Sequence, residues 1–489
     1  MSERRCGRSR GASCLPGVAL AALLGGCVAV GPDFVVPAAP TIDRYTASDP
    51  EAMNAGSVEA GQKISRGAPV EGAWWRQFAS SDLDAIVALA LQDSPALQGA
   101  QATVTQAEDL LAAVRGGRYP QVDLDLAGAR GNIAAARNAA GVVSTSSVGP
   151  SLSYALDVFG ATTRRVEQAE AMLDYQRAQF DASALALTSG AVLQAIALAS
   201  ALEQIRAVQD IIATDERNLE LVRISQAAGK SAGLDVLTAE SQLASDRALL
   251  PPLLQETSAA RHALAVLVGK AASEWAPPDL DFASLALPQE LPLVLPSDLV
   301  RRRPDIAAAE AALHASNAAI GIATAQLYPA VTLSAAWTAA SVGGALFASP
   351  GSAWDIAASV VAPLFHGGTL RAQRAAAIDA YAAQLAAYRQ TVLQAFGQVA
   401  DALHALGNDA LLLDSQRKAL DAAQATLDLT QQSFQAGQTS FLQIVVAERL
   451  YQEARLGYVR AKAQRYIDSV QLFVAMGGAP TGETPQAGR

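Results

Sequence analysis

The chain has 489 residues, 36 Lys and Arg against 46 Asp and Glu, a net charge of −10, and only 5% aromatic and 17% charged residues. The acidic balance gives no footing for a nucleic-acid partner. Of three cysteines, Cys6 and Cys14 fall in a cleavable leader, so the mature chain keeps Cys27 alone and a disulfide framework is excluded.

In chain order, the first element is a targeting segment, residues 1–26. Arg4, Arg5, Arg8 and Arg10 form a basic region and Ala12 to Leu24 an apolar one. It ends in Leu24-Gly25-Gly26-Cys27, a pattern that resembles a bacterial lipobox, in which cleavage leaves Cys27 as the lipidated N-terminus. Removing four Arg and one Glu with this segment takes the net charge to about −13. Residues 27–70, with Pro32, Pro37, Pro40, Pro50 and Pro69, read as a lipidated extended leader. A short helix is predicted from Asp82 to Gln92. Ser94 then caps, and Pro95 opens, a second helix to about Arg115.

Two strands follow. Val122, Leu124 and Leu126 alternate with Gln121, Asp123 and Asp125. Leu152, Tyr154, Leu156 and Val158 alternate with Ser151, Ser153, Ala155 and Asp157. The second half repeats this with Val331, Leu333, Ala335 and Trp337, then Trp354, Ile356, Ala358 and Val360. Period-2 runs of this length suit membrane β-strands, although a water-facing antiparallel sheet alternates identically. Gly/Ser/Asn-rich loops near 131–147 and 340–352 are expected to join the pairs.

Long helices separate the strands. Residues 161–228 and 369–436 contain no proline. A helix of ~68 residues is ~100 Å long, against an average of about 11–12 residues in globular proteins. Ile378, Leu385, Val392, Val399, Leu406, Leu413, Leu420, Leu427 and Phe434 recur every seventh residue, and Leu198, Ile205, Ile212 and Leu219 hold the same phase 208 positions earlier. A seven-residue period imposes a left-handed supercoil. Gly229 and Gly437 end these helices, and return helices begin near Leu234 and Phe441. A linker at 276–297 contains Pro277, Pro278, Pro288, Pro292 and Pro296, and residues 481–489 form a tail. No stretch reaches 18 uninterrupted apolar residues, so no transmembrane helix is expected.

The chain is therefore one unit written twice, residues 71–275 and 298–480. Tyr119-Pro120 and Pro95 recur 209 positions on as Tyr328-Pro329 and Pro304. Gly229, Ala239-Glu240 and Gly269 recur 208 on as Gly437, Ala447-Glu448 and Gly477. Tandem duplication argues for two pseudo-equivalent halves of one body. Each half offers two strands. If these span a membrane the sheet must close, because hydrocarbon satisfies no open edge. Four strands are too few, since about eight is the usual minimum. The chain must then oligomerise, and dimer and trimer both satisfy the argument.

Val30-Gly31-Pro32-Asp33-Phe34, Trp74-Trp75-Arg76-Gln77-Phe78, Arg261-His262-Ala263-Leu264-Ala265-Val266-Leu267 and Arg301-Arg302-Arg303-Pro304-Asp305-Ile306 stand in this order on the duplicated frame. In these segments the chain resembles the TolC-like outer-membrane factors, specifically the lipoprotein (NodT-type) branch serving resistance-nodulation-division efflux systems. The resemblance implies an α+β membrane protein with four transmembrane β-strands per chain. Three chains would form a 12-stranded barrel continued by an α-helical coiled-coil tunnel in the periplasm. A periplasmic adaptor and an inner-membrane resistance-nodulation-division transporter would be its partners, with the barrel in outer-membrane lipid. Substrates, drugs or other small molecules, would pass through unchanged. The turns at Gly229 and Gly437 would mark the periplasmic tip, where family members narrow the tunnel with charged side chains. Asp235 matches the family's acidic position. Gln443 and Val446 stand where Asp is frequent, a departure, and Arg449 matches a basic position of some members. Asp235 and Arg449 would then help tie neighbouring helices, with fewer acidic rings than usual in the family; the bland alternative is that both are solvated helix charges.

No Gly-rich phosphate loop, GxSxG elbow, CxxC or HExxH-like spacing occurs, and His262, His314, His366 and His404 are scattered. No cofactor, metal or catalytic residue is expected, and the chain is not read as an enzyme. The rival readings are a heavy-metal efflux or type I secretion duct, and a lipid-anchored periplasmic coiled-coil scaffold.

Overall fold

The computed structural model describes residues 29–38, 42–46, 62–68, 70–132, 142–342 and 351–478. Leu24, Gly25, Gly26, Cys27 and the tail at 481–489 lie outside the described residues. The chain divides into two compact units that interleave in sequence. One comprises residues 1–36, 105–174 and 310–387; the other comprises 37–104, 175–309 and 388–489.

The first unit carries a sheet of β2 (Gln121–Asn132), β3 (Val142–Leu156), β5 (Ala330–Val342) and β6 (Gly351–Val361), antiparallel in the order β2-β3-β5-β6. The strands extend into segments expected to be loops, because the two-residue phase continues through small and hydroxyl side chains such as Ser144, Thr145, Ser146 and Ala339. The second strand also ends earlier than its alternation suggested. Asp157 leaves the strand and caps the next helix, accepting from the N–H groups of Thr162 at 2.8 Å and Thr163 at 2.7 Å. The hairpin pairs β2–β3 and β5–β6 come one from each half, and β3 joins β5 across the duplication.

Two helices of 67 residues, α3 (Ala161–Ala227) and α8 (Thr369–Gln435), start in this unit and continue into the second. In the second unit the heptad seam is interior. Leu198, Ile205 and Leu219 are buried on α3, and Val392, Val399, Leu406, Leu413 and Leu427 on α8. Toward its start α8 leaves Ile378 exposed. The return helices begin at the expected places: α4 (Gly233–Arg247) is followed by α5 (Leu250–Leu267), and α9 (Phe441–Ala475) is continuous.

The second unit also contains α1 (Ser81–Asp93), α2 (Pro95–Gly116) up to residue 104, α6 (Pro296–Arg302) and α7 (Pro304–Ala325) up to residue 309. Ser80 caps α1 by accepting from the N–H of Leu83 at 3.4 Å. The segment read as a linker holds a strand, β4 (Glu290–Leu293), and the leader supplies its parallel partner, β1 (Lys63–Arg66). The Trp74–Phe78 segment is a short 3₁₀ turn whose Trp74 stacks on Phe473 at 5.4 Å, while Phe78 stacks on Tyr466 at 6.1 Å. The Arg-rich motif has an equally local reason. Buried Arg303 donates to Asp305 at 2.6 Å, Gln398 Oε1 at 2.7 Å and the Ala475 carbonyl at 2.9 Å, tying the start of α7 to α8 and the end of α9.

Windows of 18 residues in α3 and α7 reach the hydropathy of membrane spans, but half or more of each window is buried within the fold. Their apolar content is explained by packing.

Candidate functional site: a two-faced sheet and the far-end turns

Strand register sorts the sheet into two chemical faces. Val122, Leu152, Ala335 and Ile356 lie side by side across all four strands, and Tyr154, Leu333 and Ala358 form a second row. Trp337 pairs with Trp354 on the same face, where Leu124 is 75% exposed. The opposite face carries Asp123, Ser151, Ala336 and Asp355 in one row and Gln121, Ser153, Ser334 and Ala357 in another. A sheet with one apolar and one polar face, its outer strands β2 and β6 exposed along their length, suits a lipid boundary on one side and water on the other. Among the described residues β2 and β6 have no partner on their outer edges.

Just past the C-terminal ends of α3 and α8, Gly229 and Gly437 adopt φ of +74° and +71°. Each closes its helix with the same pair of bonds. Gly229 N–H donates to Gln226 and Lys230 N–H to Ser225; Gly437 donates to Phe434 and Gln438 to Ser433, all at 2.9 Å. This double closure satisfies the last carbonyls and needs a left-handed residue, hence glycine. Beneath the turns Leu219, Val222, Ala239, Leu243, Phe441 and Ile444 form a common core.

The four residues matched to a constriction lie just beyond these turns. Half-buried Asp235 accepts from the Ala232 N–H at 3.0 Å and so caps α4. Gln443, Val446 and Arg449 follow at three-residue steps on exposed positions of α9, with Arg449 3.9 Å from Glu453. Within one protomer Asp235 and Arg449 thus engage Ala232 and Glu453, not each other.

Buried acids form a feature that the sequence reading missed. Asp215 on α3, Asp246 on α4 and Glu448 on α9 are 4%, 3% and 7% exposed. Burial, then the hydrogen bond with Asp246, pushes the Asp215 carboxyl up to about 8, and burial pushes Glu448 up to about 7. Amides surround them: Gln452 donates to Asp246 at 2.7 Å, Gln242 to Asp246 at 2.9 Å, and Asn218 to Glu448. A second pair, Asp409 and Asp468, packs near Arg465, and burial raises Asp409 to about 8. The available signal was heptad phase. Ala201, Val208, Asp215 and Val222 are spaced by seven and all buried, three residues after the seam positions.

A family model described as outer membrane efflux protein matches residues 86–270 and again 295–478, once in each half. The chain belongs to the outer membrane efflux protein family. This efflux protein is 31% identical over 417 residues to a pyoverdine export outer membrane protein of Pseudomonas aeruginosa, covering 83% of this chain and 87% of that one. It is 29% identical over 491 residues to nodulation protein T of Rhizobium leguminosarum bv. viciae, covering 96% and 95%. The solved outer-membrane channel OprN superposes with a TM-score of 0.82 at 28% identity, over 92% of this chain and 99% of that chain. The protein is an outer-membrane efflux component, an exit duct, and its family consists of channels rather than enzymes. The scaffold reading is set aside by this membership.

Proposed function

We propose that three copies of this efflux protein close their sheets into a 12-stranded barrel and continue it as a helical tunnel into the periplasm. There it docks an adaptor and an inner-membrane resistance-nodulation-division transporter. The apolar face running unbroken over four strands, with no partner on either outer edge among the described residues, carries this reading, because hydrocarbon tolerates neither an open edge nor a four-stranded barrel. Leu234 and Leu442, equivalent residues of the two halves, are exposed beside the turns and offer apolar contact to an adaptor. The duct conducts small molecules passively, and the pump selects them. Cys27 bears the lipid, and Asp235, Gln443, Val446 and Arg449 line the closed end.

Leu124→Arg and Leu333→Arg test the lipid boundary. Each is expected to cost ~2–4 kcal/mol near the bilayer midplane and to deplete the heat-modifiable trimer in outer-membrane fractions. Mass measurement in detergent should give a trimer for the wild type. Normal assembly of both Arg variants would place water on that face and remove the barrel.

A further inference from the structure

The segment after the lipobox is not merely extended. Val30 N–H donates to the Phe159 carbonyl at 3.1 Å. The Arg164 guanidinium, whose side chain is only 5% exposed, donates to the carbonyls of Val30 and Gly31 at 3.3 Å, to Asp33 at 2.7 Å and to Glu167 at 2.7 Å. Asn317 donates to the Pro32 carbonyl at 3.0 Å. Phe34 stacks on His314 at 4.3 Å, and His314 contacts Glu167 at 3.0 Å. Clearance is tight throughout. A Cβ on Gly31 would sit 2.5 Å from Gly321 Cα, one on Gly160 would sit 2.5 Å from Ala29 Cα, and one on Gly321 would sit 2.7 Å from Arg164 Cγ.

This cage has a definite position. Phe159 and Arg164 lie where β3 gives way to α3, and His314, Asn317 and Gly321 lie along α7, the helix that leads to β5. The leader therefore grips the root of β3 and the helix that leads into β5. Only Val28 separates Cys27 from Ala29, and two residues reach at most about 7 Å.

We infer that the Val30–Phe34 segment, locked by Arg164, is a short rigid tether that holds the lipid beside the root of β3, so that the anchor sets the height of the sheet against the membrane before the strands insert. The inference rests on the assignment of the lipid to Cys27. Arg164 acts here as a positioning residue. A short tether keeps the sheet at high effective concentration at the membrane surface, and that concentration falls roughly as the −3/2 power of length once the tether is long and flexible. Gripping the leader at the root of β3 removes most of that freedom.

The test lengthens the tether without touching the fold. Six or twelve Gly/Ser residues are inserted between Val28 and Ala29 of the full chain. The lipid is followed by labelled palmitate, and insertion by the heat-modifiable trimer in outer-membrane fractions. The expected result is full labelling with a trimer yield that falls several-fold at twelve residues, to the level of Cys27→Ser. Arg164→Ala should fall to the same level and lose nothing more when combined with the twelve-residue insertion, while Arg164→Lys should recover part of the yield. Labelled insertion variants that assemble at wild-type yield would overturn the tether alone. A wild-type chain without label would overturn both the lipid assignment and the tether, and an additive loss in the combined variant would reduce Arg164 to ordinary packing.

Discussion

The two halves share a frame but not a return limb. In the second half α9 runs unbroken for 35 residues, with Val459 buried and Arg460 exposed midway. In the first half the matched positions are Pro251-Pro252, and the limb breaks into α4 and α5 around Ala248 and Leu249. Proline lacks the N–H for the ladder and crowds the carbonyl four residues back, yet is tolerated in a first turn. The broken limb keeps its packing, since Leu250 and Leu253 still rest on Ala207, Val208 and Leu456. The buried acids diverge as well. Asp215 and Asp246 correspond to Ala423 and Ala454, while Asp409 and Asp468 correspond to Ala201 and Ala260. The two halves share the glycine turns and the seam, and each carries its own acid pair at its own level.

The sharpest way to break this comparison is to give the second half the first half's punctuation. Val459→Pro should cost ~3 kcal/mol or more, read as a lower thermal midpoint of the detergent-solubilised protein. Pro251→Ala with Pro252→Ala should change the midpoint far less. Equal tolerance of all three changes would mean that the limbs are interchangeable.

A pH titration sharpens the contrast between the acid pairs. Asp215 lies among Asp246, Glu448, Glu216 and the amides of Asn218, Gln242 and Gln452. Its folded value of about 8 stands above the ordinary 3.8. Its stabilising contribution is therefore complete at low pH and lost as pH rises through about 8. Asp215→Asn should flatten the fall in stability that runs from about pH 4 up to about pH 8, measured by hydrogen exchange of α4. Asp409→Asn should flatten the exchange of α9 and leave α4 steep. An unchanged slope in Asp215→Asn would put the proton elsewhere.

The smallest effects belong to the closed end. Asp235→Ala removes a cap, worth ~0.5–2 kcal/mol, and Arg449→Ala a solvent-exposed charge pair worth ~0–1 kcal/mol. If the two tie neighbouring protomers, each should raise single-channel conductance or antibiotic leakage, with the double variant less than additive. Wild-type conductance in both would leave closure to Val446 and its apolar neighbours.

Much of this architecture was legible because it is periodic. The seven-residue seam announced α3 and α8, and the glycines at 229 and 437 ended them for a steric reason visible in one residue. Some repeat marks proved to be partners: a Cβ on Gly269 would lie 2.8 Å from Pro95 Cδ, and one on Gly477 would lie 3.1 Å from Arg303 Cα, next to Pro304. What escaped was aperiodic. The parallel pairing of β1 with β4 joins segments more than 200 positions apart, and no local pattern encodes it. Asp157 kept the strand phase while serving a helix. Pro251-Pro252 stands in the first turn after the break in the first return limb, a local mark that the repeat itself does not carry. The acids needed heptad phase, not composition.

The central pairing of the sheet also dictates an order of events. Thr145 pairs with Val342 and Leu156 with Val331, partners roughly 175 to 200 positions apart, whereas each hairpin is local. Pairings so distant in sequence form slowly, because loop closure must precede their reward. If the leader at residues 1–26 directs export N-terminus first, the β2–β3 hairpin can form while β5 is still behind the membrane. Val122, Leu124 and Leu152 must then wait in water beside an unpaired β3 edge until the second half arrives. In that interval the apolar face of the hairpin, and not the long helices, is the part of the duct most open to wrong pairing.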